Sequence, residues 1–581
     1  MTKKCQFCKQ DFIIETEDID FYDSIKVPTP TWCSDCRMFR RFIWMNQGVL
    51  YRRKDSLTGK EIFSGIHESA PVKACDRDFW WSDAWDPMIF GKEYNSSINF
   101  FEQFKELMHS VPWVSRNVIN LHNSDYTNDV AELKNSYLCF SSSRIENGAY
   151  LMMATDIKDS LDLFEAGGSE LCYEGYMVDE SYRVFYSINC DNSSNIWFSK
   201  DLMGCENCFS CVNLVNKSYC IWNEQKTKEE FIEFMQAFKS GSYLEISSTI
   251  KKSREFWSNF PVRFTLGFRN LNSWGEHIQD SKNVKHSFDI HSSENLKYSQ
   301  MIDDGKNSYD QTLWGDNSSY IYEGVNVGGN VNNIKFSYNI WPESLDVEYS
   351  AFCHSSSNLF GCVGLRKKEY CILNKQYSKE EYSKLKEKII NEMNLNPYTD
   401  KLGIVYTYGE FFPIEFSPFG YNETMLNRFF PKSEDEAKKL GFKWLNENKK
   451  EFKTTIDFQN LADDIRDISQ DILKEIIKCG SCNSAYRIVP MELEFLRQNK
   501  LPIPRSCPEC RFKDRFIFVN PPKYWDKSCD CGTAETLNIY KNNNSDHFHK
   551  DLQCPNKFKT SYIPGKAKII YCEECYRSEI I

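Results

Sequence analysis

The chain has 581 residues, 41% of them hydrophobic and 26% charged, with a formal net charge of −11. That length exceeds one ordinary core and predicts roughly three or four domains, and 42 Phe, 31 Tyr and 14 Trp exclude a disordered chain. The acidic balance disfavours nonspecific attraction to nucleic acid or anionic membrane, although it permits a local basic patch.

Met1-Thr2-Lys3-Lys4 runs into Cys5 and not into an apolar stretch, so no secretory leader is expected. No stretch reaches the ~20 apolar residues of a membrane span. The expectation is a soluble cytoplasmic protein. In a reducing compartment its 24 cysteines point to metal and not to a disulfide framework.

Cys5-x-x-Cys8 and Cys33-x-x-Cys36 open the chain, 24 residues apart. One CxxC turn presents two thiolates and a second closes a tetrahedron around Zn²⁺, leaving no coordination position for water or substrate. The site is therefore expected to be structural; a rubredoxin-like iron site and a redox pair are the rivals. Arg37, Arg40 and Arg41 follow, interleaved with Phe39, Phe42 and Trp44. Such a segment suits phosphate and base contacts, or a plain amphipathic helix with solvated arginines. Asp55 and Cys75-Asp76-Arg77-Asp78 then stand where the other end of the chain carries further cysteines. Residues 1–92 are thus expected to end in a degenerate second knuckle, folded without metal around Phe79, Trp80, Trp81 and Trp85.

Residues 93–114 read as a helical linker, with Ile98, Phe101, Phe104 and Leu107 at helical spacing over 97–109. The centre is a duplication. Tyr219-Cys220-Ile221-Trp222-Asn223 returns 151 residues later as Tyr370-Cys371-Ile372-Leu373-Asn374, and the same offset joins Phe209 to Phe360 and Cys211 to Cys362. The two copies span 115–267 and 268–420. In each, Asn/Ser corners precede short alternating stretches, and in the second copy the corners recur every 11 to 14 residues. Alternation reads as strand and Asn/Ser clusters as turns. Such even recurrence predicts a β-solenoid with two corner-strand units per coil, a β-sandwich or barrel pair being the alternative. Thr227-x-x-Glu230 and Ser378-x-x-Glu381 are capping boxes that open a helix at the end of each copy, placed to cover an open solenoid end.

Residues 421–478 form a second linker, expected to be helical at 432–448 and 456–478. The C-terminal module, 479–581, begins with Cys479, Cys482, Cys507 and Cys510, which repeat the first quartet at a constant offset of 474 residues. Arg511, Lys513 and Arg515 repeat its basic segment. Beyond lie Cys529, Cys531, Cys554, Cys572 and Cys575, five thiols for one further site. Cys554, Cys572 and Cys575 are expected to be completed by Cys529 or Cys531, with His547 and His549 as nearby alternatives. Three structural Zn²⁺ ions are predicted.

The paired knuckles, with an aromatic-acidic middle, a proline-bearing stretch and Cys507-Pro508-Glu509-Cys510-Arg511, resemble the probable zinc-ribbon domain family over about 35 residues at each end; Cys33-Ser34-Asp35-Cys36-Arg37 lacks the proline. As a whole the chain resembles large multi-zinc-ribbon proteins of candidate-phyla bacteria, through Trp80-Trp81-Ser82-Asp83-Ala84-Trp85-Asp86-Pro87 and Gly409-Glu410-Phe411-Phe412-Pro413. The resemblance implies zinc binding and bacterial origin and supplies no activity.

Other chemical candidates weigh less. Cys205-x-x-Cys208-x-x-Cys211 invites an iron–sulfur reading, but the second copy has Ser356 and Leu359 where Cys205 and Cys208 would fall, which favours small apolar filler. His277, His286, His291 and His354 have no partner nucleophile at motif spacing. Asp303-Asp304 and Asp162 with Glu165 suit an acidic groove, or merely wet corners.

The expected fold is therefore mainly β with α linkers: a tandemly duplicated β-solenoid-like centre flanked by treble-clef or zinc-ribbon modules. The leading functional reading is a zinc-binding, non-catalytic scaffold for a protein or nucleic-acid partner, with no catalytic or organic-cofactor residue assigned. RNA or DNA binding through the post-knuckle arginines is the alternative. A carbohydrate-active or other enzyme working in the solenoid groove is the third.

Overall fold

The structure is a computed structural model describing residues 1–446, 452–543, 546–549 and 553–580. From Asn120 to Trp222, and again from Arg269 to Leu373, the backbone enters the left-handed region at nearly every third residue. Three residues thus make one side of a coil and four sides make the coil. Parallel pairing accordingly joins residues twelve apart: Val118 with Val130, Tyr173 with Phe185, Cys208 with Cys220. The second copy follows the same plan with thirteen-residue coils at Ser319–Asn332 and Asn332–Leu345. The centre is a β-solenoid, but one corner-strand unit fills a whole coil where half a coil was expected. A chain that turns every third residue closes in one unit the circuit that longer strands would need two units to close.

Left-handed backbone costs a non-glycine residue about 1–2 kcal/mol, less for Asn and Asp. These two residues recur at the corners and bond from coil to coil. Asn123 donates to Asn135, Asn135 to Asn147 and Asn147 to Asp159, at 3.1, 3.1 and 2.7 Å. Asn272, Asn283, Asn295 and Asn307 form the matching ladder in the second copy.

One residue in three points inward. Every member of the interior cluster of the first copy, from Val118 to Cys220, lies a multiple of three residues from Val118. From Val118 to Leu214 the bore of the first copy holds Gly, Ala, Ser, Thr, Cys, Val, Leu and Ile. Serine fits because its hydroxyl joins the ladder: Ser187 Oγ donates to the Phe185 carbonyl and accepts from the Ser199 amide at 3.0 Å, and Ser199 repeats this with Trp197 and Cys211. Outside, one face carries a second apolar stack, one residue per coil: Ala149, Leu161, Tyr173, Phe185, Trp197, Phe209 and Ile221. The helix Lys228–Ala237, the 456–478 linker and the second Cys quartet bury this face.

The chain divides into two compact units. One comprises Met1–Arg116, Thr265–Asn446 and Pro521–Lys523; the other comprises Asn117–Phe264, Glu447–Asn520 and Tyr524–Ile581. Each unit combines one solenoid copy with the terminal module farther from it in sequence.

Helix Phe100–Ser110 forms as expected. Both capping boxes are made, with Thr227 and Glu230 exchanging backbone bonds at 3.2 and 2.8 Å ahead of Lys228–Ala237, and Ser378 and Glu381 doing the same ahead of Lys379–Leu395. The 432–448 expectation shrinks to Glu434–Lys439 among the described residues, its last two positions lying outside them. The 456–478 helix is absent. Strands Ile456–Asp457 and Ile477–Lys478 flank three 3₁₀ turns, Phe458–Asn460, Ile465–Asp467 and Gln470–Lys474. Leu461, Ile465, Ile468 and Ile472 do have helical spacing. Asp457, Asp464 and Ser469, however, each capture the amide two residues on, restarting the backbone before a helix can propagate.

Candidate metal centres

Three groups of four cysteines bring their sulfurs within 4.8 Å of one another: Cys5, Cys8, Cys33 and Cys36; Cys479, Cys482, Cys507 and Cys510; and Cys529, Cys554, Cys572 and Cys575. The sulfurs of Cys8 and Cys33, of Cys482 and Cys507, and of Cys554 and Cys572 are each 3.8 Å apart. A tetrahedron with metal–sulfur bonds of about 2.3 Å has edges of about 3.8 Å. A disulfide would need about 2.05 Å. The donor set and its spacing fit a closed four-thiolate ion. Cys529, and not Cys531, completes the third group.

Local sequence makes the knuckles. Lys9 and Asn483 take left-handed φ of 62°, turning the chain back so that their amides bond the carbonyls of Cys5 and Cys479. Cys33 and Cys507 are the N-caps of helices Ser34–Phe42 and Pro508–Phe516, which put Cys36 and Cys510 in the first helical turn. Each N-cap amide also donates to the first sulfur of its quartet, at 3.3 and 3.2 Å. The thiols of Cys33 and Cys36 draw Cys5 far below its ordinary range. Against the effect of burial, Ser484 pulls Cys482 down to about 6. The first two quartets thus each contain a sulfur inclined to be thiolate, the form that binds metal.

The helices after the knuckles carry the arginines that suggested nucleic acid. Arg37, Arg40 and Arg41 are almost fully buried. Arg37 donates to Asp310 at 3.0 Å, and Arg40 donates to Glu410 at 2.7 Å and to Glu323 at 2.5 Å. Arg41 donates to Asp310 at 2.8 Å, Thr312 at 2.9 Å and Gln300 at 3.1 Å. The other unit repeats the arrangement. Arg511 meets Asp162 and Glu492, and Arg515 meets Asp162 and Glu174, all at 2.9 Å. Burial raises Glu323 to about 7 in spite of Arg40. Five of the six residues proposed to contact phosphate are therefore enclosed against carboxylates of the same unit. Lys513 alone is exposed, 3.7 Å from Glu509. Asp162, read from sequence as one wall of an acidic groove, is the buried centre of the second clamp.

The degenerate N-terminal knuckle is closed by a carboxylate. Asp55 accepts from the amides of Leu57 and Thr58 at 2.7 Å and of Asp76 at 2.6 Å. Trp80 bonds the Pro112 carbonyl and packs edge-on against Trp81, with Trp85 bonding the Trp80 carbonyl.

Cys205, Cys208 and Cys211 point inward on three successive sides of the first solenoid and belong to its interior cluster. The CxxCxxC spacing is the three-residue frame itself. Each sulfur donates to the carbonyl two residues back, the bond an inward serine makes. The neighbouring Cys208 thiol and burial push Cys205 well above its ordinary range, so it stays a protonated, inert thiol. His354 is likewise structural: burial drives it down to about 3, and it lies among Trp80, Trp81 and Trp341 with Nδ1 on the Trp341 carbonyl. The clamp carboxylates were the signal that could have been found in sequence: Asp162 and Glu174 in one copy answer Asp310 and Glu323 in the other, close to the 151-residue offset.

No family model matches the chain, and no curated protein is similar to it. Among solved structures, one titled "putative acetyltransferase" from Desulfovibrio desulfuricans G20 is 11% identical, covering 49% of this chain and 86% of its own, at a TM-score of 0.10. A superposition at that score carries no argument about fold or function. Of the zinc-ribbon resemblance, the structure supports four-cysteine clusters at both ends that are compatible with zinc-binding modules. Among the described residues no helix is long and apolar enough to cross a membrane.

Proposed function

We propose that the protein is a non-catalytic scaffold whose terminal modules are stapled by structural Zn²⁺ and locked onto its solenoids. The observation that carries this reading is the coupling of each quartet to a clamp. The helix that begins at Cys33 buries Arg37, Arg40 and Arg41 against the solenoid, and the helix that begins at Cys507 does the same with Arg511 and Arg515. Losing the metal frees the N-terminal end of the helix that carries the arginines. Four thiolates leave no open position on the ion, so the metal's role is to fix geometry. None of the 24 cysteines is paired in a disulfide, which suits a reducing compartment such as the cytoplasm. A rigid, doubly buried solenoid is then a platform for a macromolecular partner.

The test is exhaustive chelation at neutral pH followed by thermal unfolding and limited proteolysis. Structural ions bound well below their working concentration contribute about 4 kcal/mol or more each, which lowers Tm by roughly 10 °C or more and opens both termini to protease. An unchanged melting curve and cleavage pattern after complete metal removal defeats the proposal.

A further inference from the structure

The C-terminal module holds more ligands than one ion can use. Cys531, His547, His549 and Cys575 form a second group whose ligand atoms lie within 4.8 Å of one another, and Cys575 also belongs to the third four-cysteine group. We infer that this module binds two zinc ions that share the Cys575 sulfur: one on Cys529, Cys554, Cys572 and Cys575, the other on Cys531, His547, His549 and Cys575.

Three observations point the same way. Cys531 is fully buried beside four other thiols, and a single tetrahedral ion leaves this fifth sulfur without a role. His547 is oriented as a ligand. Its Nδ1 faces the Cys531 sulfur at 3.5 Å, while Nε2 lies 2.6 Å from the buried Glu579 carboxylate, which is held in turn by the Tyr540 hydroxyl at 3.1 Å. A carboxylate on the far nitrogen fixes the imidazole tautomer and orientation of a zinc-bound histidine. The sulfurs are also supported from outside: Asn542 Nδ2 donates to Cys531 at 3.6 Å, Asn556 Nδ2 to Cys572 at 3.4 Å and the Cys572 amide to Cys529 at 3.2 Å. Five thiolates against two divalent ions leave a single excess negative charge, which these donors stabilise. Two sulfurs with two imidazoles in a tetrahedron is a zinc donor set. The whole chain then carries four ions where sequence spacing predicted three.

The inference rests on the thiolate reading of the quartets and is separable from it. Elemental analysis of the full-length zinc protein should give four ions per chain, falling to three in His547→Ala and in Cys531→Ser, and to two in Cys575→Ser. The wild-type protein loaded with ¹¹³Cd should give four resonances, two of them split by mutual coupling through the bridging sulfur, a readout that needs no variant to fold. Three ions per chain, unchanged by His547→Ala, overturns the fourth site and leaves the quartets standing. Four resonances without a coupled pair overturns the bridge. Fewer than three ions sinks the reading of the quartets as well.

Discussion

The two tail modules share a backbone plan and differ in what closes it. In each, a hairpin (Tyr51–Lys54 with Glu61–Ser64, Trp525–Ser528 with Lys557–Thr560) leads to a short strand, Ala74–Cys75 or Ile570–Tyr571. That strand pairs in parallel with the residues that enter a solenoid copy, Trp113–Val114 or Val262–Arg263, and a helix follows. At the C-terminus thiols and histidines converge where the strand ends; at the N-terminus Asp55 takes that place and caps three amides. A metal ties four distant segments at once. A carboxylate satisfies its own loop and one neighbour, and aromatic packing must hold the rest. The same fold can thus be closed by coordination or by hydrogen bonds and tryptophans, and the two closures should fail differently.

The largest difference is expected between the cysteines near the two strand ends, Cys572 just beyond Ile570–Tyr571 and Cys75 within Ala74–Cys75. Cys572→Ser removes a ligand, so the module should lose metal and much of its fold, with a Tm decrease of roughly 10 °C and rapid proteolysis after residue 520. Cys75→Ser replaces a buried thiol that merely donates to the Trp113 carbonyl, and should cost about 1 kcal/mol with no change in metal content. Equal effects would erase the distinction.

The arginine clamps come next. Breaking a buried pair leaves an uncompensated charge at about 3–5 kcal/mol. Asp310 lies among Arg37, Arg40 and Arg41 with Glu323 and Glu410, so Asp310→Asn leaves three cations facing two anions. Asp162 lies among Arg511 and Arg515 with Glu174 and Glu492, so Asp162→Asn leaves two facing two. Urea unfolding should show the Asp310 variant losing the full amount and the Asp162 variant about half of it. The reverse order would mean that charge count does not govern the clamps. A loss of about 2–3 kcal/mol, below that of Asp310→Asn and confined to residues 51–81, is expected for Asp55→Ala by hydrogen exchange, since three amides lose a charged acceptor.

Sequence spacing revealed the quartets because metal geometry is local: two CxxC turns and one offset suffice. The duplication and the solenoid were also legible, since like residues stack over like. The coil length was not, because a two-residue alternation and a three-residue frame look alike over four residues, and only the Asn and Asp at corners such as 189, 192 and 195 separate them. The clamps escaped because basic segments after a knuckle look solvated until their carboxylates, all but Glu492 more than 250 residues away, come into view. The second C-terminal ion escaped because His547 and His549 sit at no recognised spacing from Cys531; only the folded loop brings them to Cys575.

The smallest expected effect tests the three-residue frame. Cys205 shares its solenoid column with Ser169, Ser181 and Ser193, which lie 36, 24 and 12 residues before it, and each of these serines makes the carbonyl bond that the Cys205 sulfur makes. A hydroxyl already fits that bore. Cys205→Ser and Cys208→Ser should therefore change stability by less than about 1 kcal/mol and leave metal content unchanged. An iron–sulfur or zinc site on Cys205, Cys208 and Cys211 would instead lose its metal and its absorbance. Cys205→Leu tests the same frame from the other side: Leu133, Ile145 and Ile157 occupy the same column farther along, but on the coil next to Cys205 the column holds Ser193, whose hydroxyl accepts from the Cys205 amide at 3.1 Å, so the added bulk should cost about 1–3 kcal/mol. A silent serine with a costly leucine would show that these cysteines are retained for their size.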